Sequence, residues 1–269
     1  DTRLTWRAAR RFALTGGYEF ERELYRELQN NNQPGNARIF TRTRAPQRAH
    51  SAFAHSQISL LADRLQLSLS GRMQDFQLQR PEFQFTGTAN NYQNAAIVSP
   101  PRAWTGDASL AYFAARTGTK FRAHLGNSYR APSLYERFGG GFFANPATGN
   151  VSFTAYGNPL LGPDRYVSFD WGVDQYVLRE RIRISATHFY TRIQTVSAFD
   201  FSGVVNPRTD LWGRTSGYIA GAGGISRGLE LGVEARPTRT LTLSGSYTYT
   251  RANNDRDQVI TGFFRALNV

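Results

Sequence analysis

The sequence predicts an all-β fold, namely a segment of an antiparallel transmembrane β-barrel with about 10–11 strands. Three observations predict it. Apolar and polar side chains alternate with a period of two along most of the chain, many of these runs are long, and the connections between them are short and long in turn. Strands of soluble proteins are usually about 5–6 residues long, whereas a membrane-crossing strand needs about 9–11.

Each alternating run separates apolar from polar side chains. In residues 240–250 the face opposite the apolar one holds only Thr and Ser, and runs 167–174 and 229–235 oppose acidic side chains to apolar ones. The predicted lipid-facing side chains are Val167, Phe169, Trp171, Val173, Leu229, Leu231, Val233, Leu241, Leu243 and Tyr247. The predicted lumen-facing side chains, which would contact water or a plug, are Arg122, Arg130, Asp170, Asp174, Glu230 and Glu234.

The connections support the same fold. Short links are predicted near residues 9–10, 62–63, 117–119, 179–180 and 237–239. Long connections rich in Asn, Gly, Pro and Ser are predicted at 26–47, 80–102, 131–165, 198–217 and 252–263. Short turns on one side and long loops on the other are typical of outer-membrane barrels. Within 50–61 and 182–193 the apolar residues switch between odd-numbered and even-numbered positions. We therefore expect β-bulges there.

A soluble β-rich binding protein is a weaker alternative. Soluble sandwiches use shorter strands with turns about every 8–12 residues, which this sequence lacks. Aromatic side chains close to the predicted strand ends are typical of the girdles at a membrane interface. They are Trp104, Tyr129, Tyr166, Tyr190 and Tyr249.

The composition of the 269 residues excludes several functional classes. Without cysteine there are no disulfides, zinc ribbons or thiol nucleophiles, and four histidines provide little for a metal site. The net charge of +12, carried mostly by arginine, indicates either a genomic bias or a surface that meets anions. No nucleophile with a positioned base is recognisable in the sequence. We therefore expect that the protein is not an enzyme and has no cofactor and no metal centre. Arginines and aromatics fall on opposite faces or at strand ends, which disfavours nucleic-acid binding.

One part of the chain carries a family resemblance. Residues 128–139 read SYRAPSLYERFG, and residues 157–165 read GNPLLGPDR. This pair resembles the (F/Y)RAPS…E and NPxLxPE segments of TonB-dependent outer-membrane receptors. Strands at 169–174, 187–193, 226–234 and 241–249 resemble later strands of the family in the same order.

The resemblance implies a barrel of about 22 strands whose lumen is closed by an N-terminal plug. It implies a receptor in the outer membrane of a Gram-negative bacterium that takes up a scarce chelate, with energy supplied through the TonB protein. The expected ligand is a ferric siderophore or a cobalamin-like compound. Residues 1–269 would then be part of one barrel domain, with the plug and the TonB contact outside them, and with membrane lipid and lipopolysaccharide as further partners. A passive pore or structural barrel is the alternative.

Candidates for ligand contact lie in the connection at 131–165, because loops often carry recognition. They are Tyr135, Arg137, Phe142, Phe143, Phe153 and Tyr156, with loop packing as the alternative role. Haem receptors of the family place a histidine between the two motif segments, and residues 133–157 contain none, which disfavours haem.

Four arginines lie in the second half of the predicted connection at 26–47 or just after it. They are Arg38, Arg42, Arg44 and Arg48. Their positive charge would attract either an anionic chelate or lipopolysaccharide phosphates, and the sequence leaves both open.

Overall fold

The computed structural model describes most of the chain. The described residues are 1–31, 39–85, 92, 96, 98–144, 148, 151–201, 205–206, 208–255 and 260–268. The helix α1 spans Leu134–Phe138, and no helix in the described ranges is long and apolar enough to cross a membrane. The strands are β1 (Thr2–Ala9), β2 (Phe12–Asn31), β3 (Ile39–Leu60), β4 (Leu65–Leu78), β5 (Glu82–Phe85), β6 (Ala103–Ala114), β7 (Thr119–Arg130), β8 (Gly140–Ala144), β9 (Val151–Ala155), β10 (Asp164–Val177), β11 (Ile182–Asp200), β12 (Gly217–Ala235), β13 (Leu243–Asn254) and β14 (Ile260–Asn268).

Eleven of these strands form one antiparallel path in the order β1-β2-β3-β4-β6-β7-β10-β11-β12-β13-β14. The sheet is therefore a series of hairpins, as the alternating connections predict. β5 pairs with residues 41–44, near the start of β3. β8 and β9 form a separate hairpin within the connection between β7 and β10. β1 and β14 end the path, and no pairing between them is found in the described part of the chain.

The short connections are confirmed. They occupy residues 10–11, 61–64, 115–118, 178–181 and 236–242 and join the strands at one end of the sheet. The long connections lie at the opposite ends of the strands because consecutive strands are antiparallel. We call this end, where the long connections lie, the loop end of the sheet.

The first long connection is much shorter than predicted. β2 continues to Asn31 and β3 begins at Ile39, so most of residues 26–47 is strand. The period of two persists in this region, but arginines replace apolar side chains on one face. The hydropathy pattern therefore fades although the backbone ladder continues.

The two faces of the sheet differ in chemistry. On the face that we call outer, large apolar side chains are exposed, including Trp171 at 48%, Val233 at 48% and Leu243 at 54%. On the inner face the alternating positions are polar, and α1 and the long connections fold over it near the loop end.

The ten side chains predicted to face lipid lie as follows. Val167, Phe169, Trp171, Leu229, Leu231, Val233 and Leu243 are exposed strand residues, and Val173 and Tyr247 are half-buried strand residues. Leu241 is exposed but lies in the connection before β13, because the strand begins two residues later than predicted.

The two β-bulges are not where the parity changes predict them. β3 pairs with β4 without a shift, and β11 pairs with β12 without a shift across 182–193. The pairing of β11 with β10 does shift, but at Gln194, just beyond the predicted segment.

Glycines on neighbouring strands explain the parity changes instead. Phe53 and Phe189 lie on the otherwise polar inner face, each above a glycine. A Cβ added to Gly17 would lie 2.5 Å from Phe53 Cζ, and one added to Gly228 would lie 2.6 Å from Phe189 Cζ. The missing side chain thus provides the space that the ring fills.

Replacing Gly17 by valine is expected to lower the melting temperature, because the new side chain collides with the Phe53 ring and the Thr2 carbonyl. Overpacking of this kind costs about 1–3 kcal/mol. The control is Gly71→Val on the outer face, where an added Cβ meets no atom within 4 Å. Heat-dependent electrophoretic mobility measures both variants, and equal melting temperatures would contradict the packing of Phe53 on Gly17.

Candidate functional site

The connection between β7 and β10 begins with the capped helix α1. Ser133 Oγ accepts a hydrogen bond from the Glu136 backbone N–H (3.2 Å), and the Glu136 carboxylate accepts one from the Ser133 backbone N–H (2.7 Å). This reciprocal capping satisfies two amides that a helix N-terminus otherwise leaves free. The Ser-Leu-Tyr-Glu sequence of the first motif segment therefore sets the start of the helix.

The helix packs on the inner face of β2 and β3. Leu134 and Phe138 are 1% exposed and cluster with Ala45 of β3, which is 0% exposed. Apart from Gln47, the buried inner-face positions of β3 nearby are threonine, alanine and serine, whose small side chains let the helix approach. The Leu134 backbone N–H also lies close to the Glu23 carboxylate on β2. The connection is therefore held against the sheet.

Arg130 joins the two motif segments. Its guanidinium donates to both oxygens of Glu136 (2.9 and 3.0 Å) and to Asp164 (2.7 Å). Asp164 is 2% exposed and also accepts hydrogen bonds from the backbone N–H and the hydroxyl of Ser197 on β11 (2.7 and 2.9 Å). One buried carboxylate thus connects the end of β7, the start of β10 and the last part of β11.

Arg137, predicted as a ligand contact, is buried among loop carbonyls. It is 2% exposed and donates to the Pro159 carbonyl (2.7 and 3.2 Å) and to the Val98 carbonyl (2.5 Å). Burial lowers the pKa of Arg137 to about 10, so the guanidinium remains charged at neutral pH. Its position indicates that it holds two connections together and argues against direct contact with a ligand.

Tyr92 and Arg214 bring three connections to one point. The Tyr92 hydroxyl, from the connection between β4 and β6, lies 2.8 Å from the Gly139 carbonyl and 2.9 Å from the Gly157 carbonyl. Arg214, from the connection between β11 and β12, is 4% exposed, donates to the same Gly157 carbonyl (3.1 Å) and pairs with Asp210 (2.9 Å). These three long connections therefore form one packed assembly.

The start of β12 approaches this assembly so closely that it requires glycine. Gly217 has a φ of +146°, and an added Cβ would lie 2.3 Å from the Tyr156 carbonyl oxygen. That oxygen accepts a hydrogen bond from the Tyr218 backbone N–H (2.7 Å). A larger residue would break this bond and displace Tyr218.

Six aromatic side chains are connected by ring contacts around the packed connections. Ring centroids are 5.9 Å apart between Tyr25 and Tyr135, 6.0 Å between Tyr135 and Tyr218, and 5.0 Å between Tyr218 and Phe199. Tyr135 is 42% exposed and Phe201 is 87% exposed, so the set presents aromatic surface to solvent. We call it the aromatic arc, and its members are Tyr25, Tyr135, Tyr156, Phe199, Phe201 and Tyr218.

Two of the predicted ligand contacts, Tyr135 and Tyr156, belong to the aromatic arc. Phe142 and Phe153 lie opposite each other in the β8–β9 hairpin, next to Phe143, and these three side chains lie outside the described residues. The other arc members were missed because they come from strand ends far apart in the sequence. The aromatic residues near 199–201, at the edge of a predicted long connection, were the available signal.

Ion pairs lie on the inner face of the sheet between the short connections and the aromatic arc. The Asp174 carboxylate lies between Arg122 (3.4 Å) and Arg183 (3.1 Å), and Asp170 contacts His124 (3.1 Å). Glycine again makes room, because an added Cβ on Gly172 would lie 3.0 Å from Arg122 Cζ. The structure thus brings Arg122 and Asp174 together, as two of the predicted lumen-facing residues.

The remaining lumen-facing candidates are more exposed. Glu234 pairs with Arg236 in the turn (2.6 Å), and Glu230 is exposed on the inner face. Near Arg130 the inner face contains a polar cavity of about 380 Å³, lined by Glu21, Glu23, Gln74, Tyr129, Arg130 and Ser133. Among the described residues there is no group of three or more His, Cys, Asp or Glu side chains that fits a metal ion.

Comparison with known proteins identifies the family. The sequence matches the family described as TonB dependent receptor-like, beta-barrel, over residues 1–264. The chain belongs to the TonB-dependent receptor family. This match confirms the resemblance seen in residues 128–139 and 157–165, together with the predicted fold class. Members of the family are receptors and transporters of the Gram-negative outer membrane. A search of curated proteins found no match.

Solved structures of TonB-dependent receptors share the fold at low sequence identity. The copper transporter OprC has a TM-score of 0.64 and 17% identity, covering 96% of this chain and 37% of that one. The ferric yersiniabactin uptake receptor FyuA from Yersinia pestis has a TM-score of 0.61 and 11% identity, with 97% and 36% covered. The FrpB iron transporter from Neisseria meningitidis has a TM-score of 0.55 and 10% identity, with 94% and 35% covered. The chain therefore spans about a third of the length of these relatives.

Removing the Asp164 carboxylate by Asp164→Ala is expected to loosen the connections. Arg130 loses one partner but keeps Glu136, and the half-buried Ser197 amide loses its acceptor, a type of change that costs about 1–3 kcal/mol. Protease cleavage within residues 131–163 should accelerate and the melting temperature should fall. The control is Arg236→Gln, which breaks a solvent-exposed pair worth about 1 kcal/mol or less. Equal effects of the two substitutions would contradict the linking role of Asp164.

Lowering the pH is expected to destabilise helix α1. Burial by itself raises the pKa of the Glu136 carboxyl, but hydrogen bonds from Arg130 and Ser133 outweigh burial and hold the pKa below its ordinary value of 4.5. The stabilisation from Glu136 is therefore complete above that value and is lost as the pH falls through the lowered pKa. Hydrogen exchange of residues 133–139 at pH 7 and pH 3 measures this, with Glu136→Gln as the comparison. The same pH response in both proteins would contradict it.

Proposed function

We propose that this chain is the part of an outer-membrane receptor that captures a scarce metal chelate, a ferric siderophore or a cobalamin-like compound, at the loop end of the sheet. The observation that carries the proposal is the aromatic arc, which stands on connections packed into one assembly. Binding surfaces built on packed supports lose less conformational entropy on binding than mobile loops do.

The arc suits a chelate in its chemistry. Planar groups of an organic ligand pack on the exposed rings of Tyr135 and Phe201, and tyrosine hydroxyls offer hydrogen bonds. A metal that is already coordinated by its chelator needs no protein ligands. The three structural relatives named above are described as a copper transporter, a ferric yersiniabactin receptor and an iron transporter, which supports including several metals in the tests.

The two faces of the sheet fit the same proposal. We propose that the outer face meets lipid through side chains such as Trp171 and Val233, and that the inner face lines the lumen. The charged inner side chains, including Arg122, Asp174 and Glu230, and the polar cavity near Arg130 would then contact water or a plug domain. Energy coupling through TonB belongs to this proposal and would act through segments outside this chain.

A passive pore or structural barrel is the competing function. The fold of α1 and the connections over the inner face disfavours a wide open pore, because these elements narrow the loop end. Dependence of uptake on TonB distinguishes the two functions, since diffusion through a pore does not require energy.

Replacing Tyr135 by alanine is expected to weaken chelate binding about tenfold, because the arc loses its central exposed ring. The full-length protein is expressed in a strain lacking the gene, and growth under metal restriction is measured with a panel of ferric siderophores, copper chelates and cobalamins. Tyr135→Phe should retain uptake, since it keeps the ring. Tyr112→Ala is the matched control, because Tyr112 is a 38% exposed aromatic on the outer face of β6.

Two outcomes would contradict the proposal. Unchanged growth of the deletion strain on every source would remove nutrient uptake as the function. Uptake that persists without TonB would favour the passive pore.

A further inference from the structure

A row of arginines on the outer face of β2 and β3 has no role in the proposed capture of a chelate. We call it the outward arginine patch, and its members are Arg22, Arg26, Arg42, Arg44 and Arg48. Side chains at even positions of these strands point outward and those at odd positions point inward, where the odd positions of β3, such as Gln47 and Ala49, are buried beneath the connections. The patch therefore lies on the opposite side of the sheet from α1.

The cross-strand register sets these arginines against one another. Arg22 lies directly opposite Arg48, and Arg26 lies directly opposite Arg44. Like charges at directly opposed positions of an antiparallel pair repel and destabilise it. Only Arg44 has a carboxylate partner within the described residues, Glu82 at 2.9 Å. The patch is thus a dense positive surface whose repulsion a bound anion would relieve.

Carboxylates of β2 do not neutralise the patch, because they point the other way. Glu19, Glu21, Glu23 and Glu27 alternate with the arginines and lie on the inner face, where Glu19 pairs with Arg72 (2.7 Å). The backbone of the sheet separates the two sets. The positive charge of the patch is therefore directed away from the lumen.

The height of the patch coincides with one membrane thickness. From the turn at 10–11, the outward residues of β2 are apolar or aromatic as far as Phe20, about nine residues along the strand, which is the length of one membrane crossing. Tyr18 and Phe20 are 46% and 49% exposed, and the next outward residue is Arg22. At the start of β6, Trp104 is 68% exposed, and Arg102, which directly precedes the strand, pairs with Asp75 (3.0 Å). Aromatic side chains below and arginines above mark a membrane–water interface.

The patch is also amphipathic. Leu24 and Leu28 alternate with Arg22 and Arg26 along β2, and Leu28 is 66% exposed. A partner that combines phosphates with acyl chains matches this mixture, because guanidinium groups bind phosphate in a two-pronged geometry and the leucines contact hydrocarbon.

We propose that the outward arginine patch binds the phosphates of lipid A, the membrane anchor of lipopolysaccharide, in the outer leaflet. This inference rests on the proposed outer-membrane placement of the sheet and is independent of the ligand. It assigns Arg42, Arg44 and Arg48 to lipid phosphate, in place of the anionic chelate that the sequence also allowed. Arg38 lies outside the described residues.

The test uses the full-length receptor, purified in detergent, and native mass spectrometry with diphosphorylated lipid A and with the same lipid after removal of its phosphates. The wild-type protein should prefer the diphosphorylated lipid. The double variant Arg22→Gln/Arg48→Gln should bind it at least about tenfold more weakly, since each interfacial arginine contributes appreciably to binding an anionic lipid. Arg22→Lys/Arg48→Lys should retain most of the binding, which separates lost charge from a folding defect.

The matched control is Arg10→Gln/Arg11→Gln, which removes two exposed arginines from the turn at the other end of the same strand. Equal losses in this control and in the patch variant would overturn the proposal, because binding would then follow net charge alone. Equal binding of the two lipids by the wild type, or unchanged binding by the patch variant, would overturn it as well.

Uptake measured with the same proteins keeps the two proposals apart. The patch variant should still support growth on the chelate panel, because its residues lie outside the aromatic arc. Selective lipid binding in a protein that supports no uptake would leave the lipid site in place and remove only the proposed transport.

Discussion

Every long strand in this protein has to satisfy two different environments with alternate side chains while its backbone stays fully paired to its neighbours. The backbone requirement accounts for the long antiparallel ladders, because under the proposed membrane placement a strand in hydrocarbon has no water to complete its hydrogen bonds. The side-chain requirement produces an outer face of exposed apolar groups and an inner face of ion pairs. Where a ring such as Phe53 enters the polar face, the adjoining strand provides a glycine, and the register is preserved.

Arginine accounts for most of the positive charge and serves three separate purposes. On the inner face, Arg122 and Arg183 surround a buried carboxylate. In the connections, Arg137 and Arg214 donate to several backbone carbonyls at once, which a planar group with five N–H donors does better than lysine. On the outer face the arginines are directed away from the protein. The charge of +12 is therefore a sum of structural and interfacial contributions.

The motif segments that reveal the family are architectural. Arg130, Glu136 and Asp164 cap a helix and tie three strands together, and Tyr135 is the one member of the aromatic arc that lies within the motif segments. Family membership therefore follows from the framework, whereas under the proposed function ligand choice depends on arc residues, five of which lie outside the motif segments. This division explains why relatives at about a tenth to a sixth of sequence identity share the fold and differ in the cargo that their names describe.

The strand periodicity and the alternation of turns and loops can be predicted from the amino-acid sequence alone, because they depend on neighbours within one hairpin. The family can be predicted as well, because it is carried by contiguous motifs. Residues 229–235, for example, show their two faces directly in the order of their side chains. Three features are evident only from the tertiary structure. Phe53 lies on the inner face, Arg137 is buried, and aromatic side chains from four segments meet in one arc. Each of these outcomes depends on a partner distant in the sequence, such as Gly17 beneath a ring or Pro159 beside a guanidinium. A periodic pattern assigns a side chain to a face, and only the packed chain establishes what that face contacts.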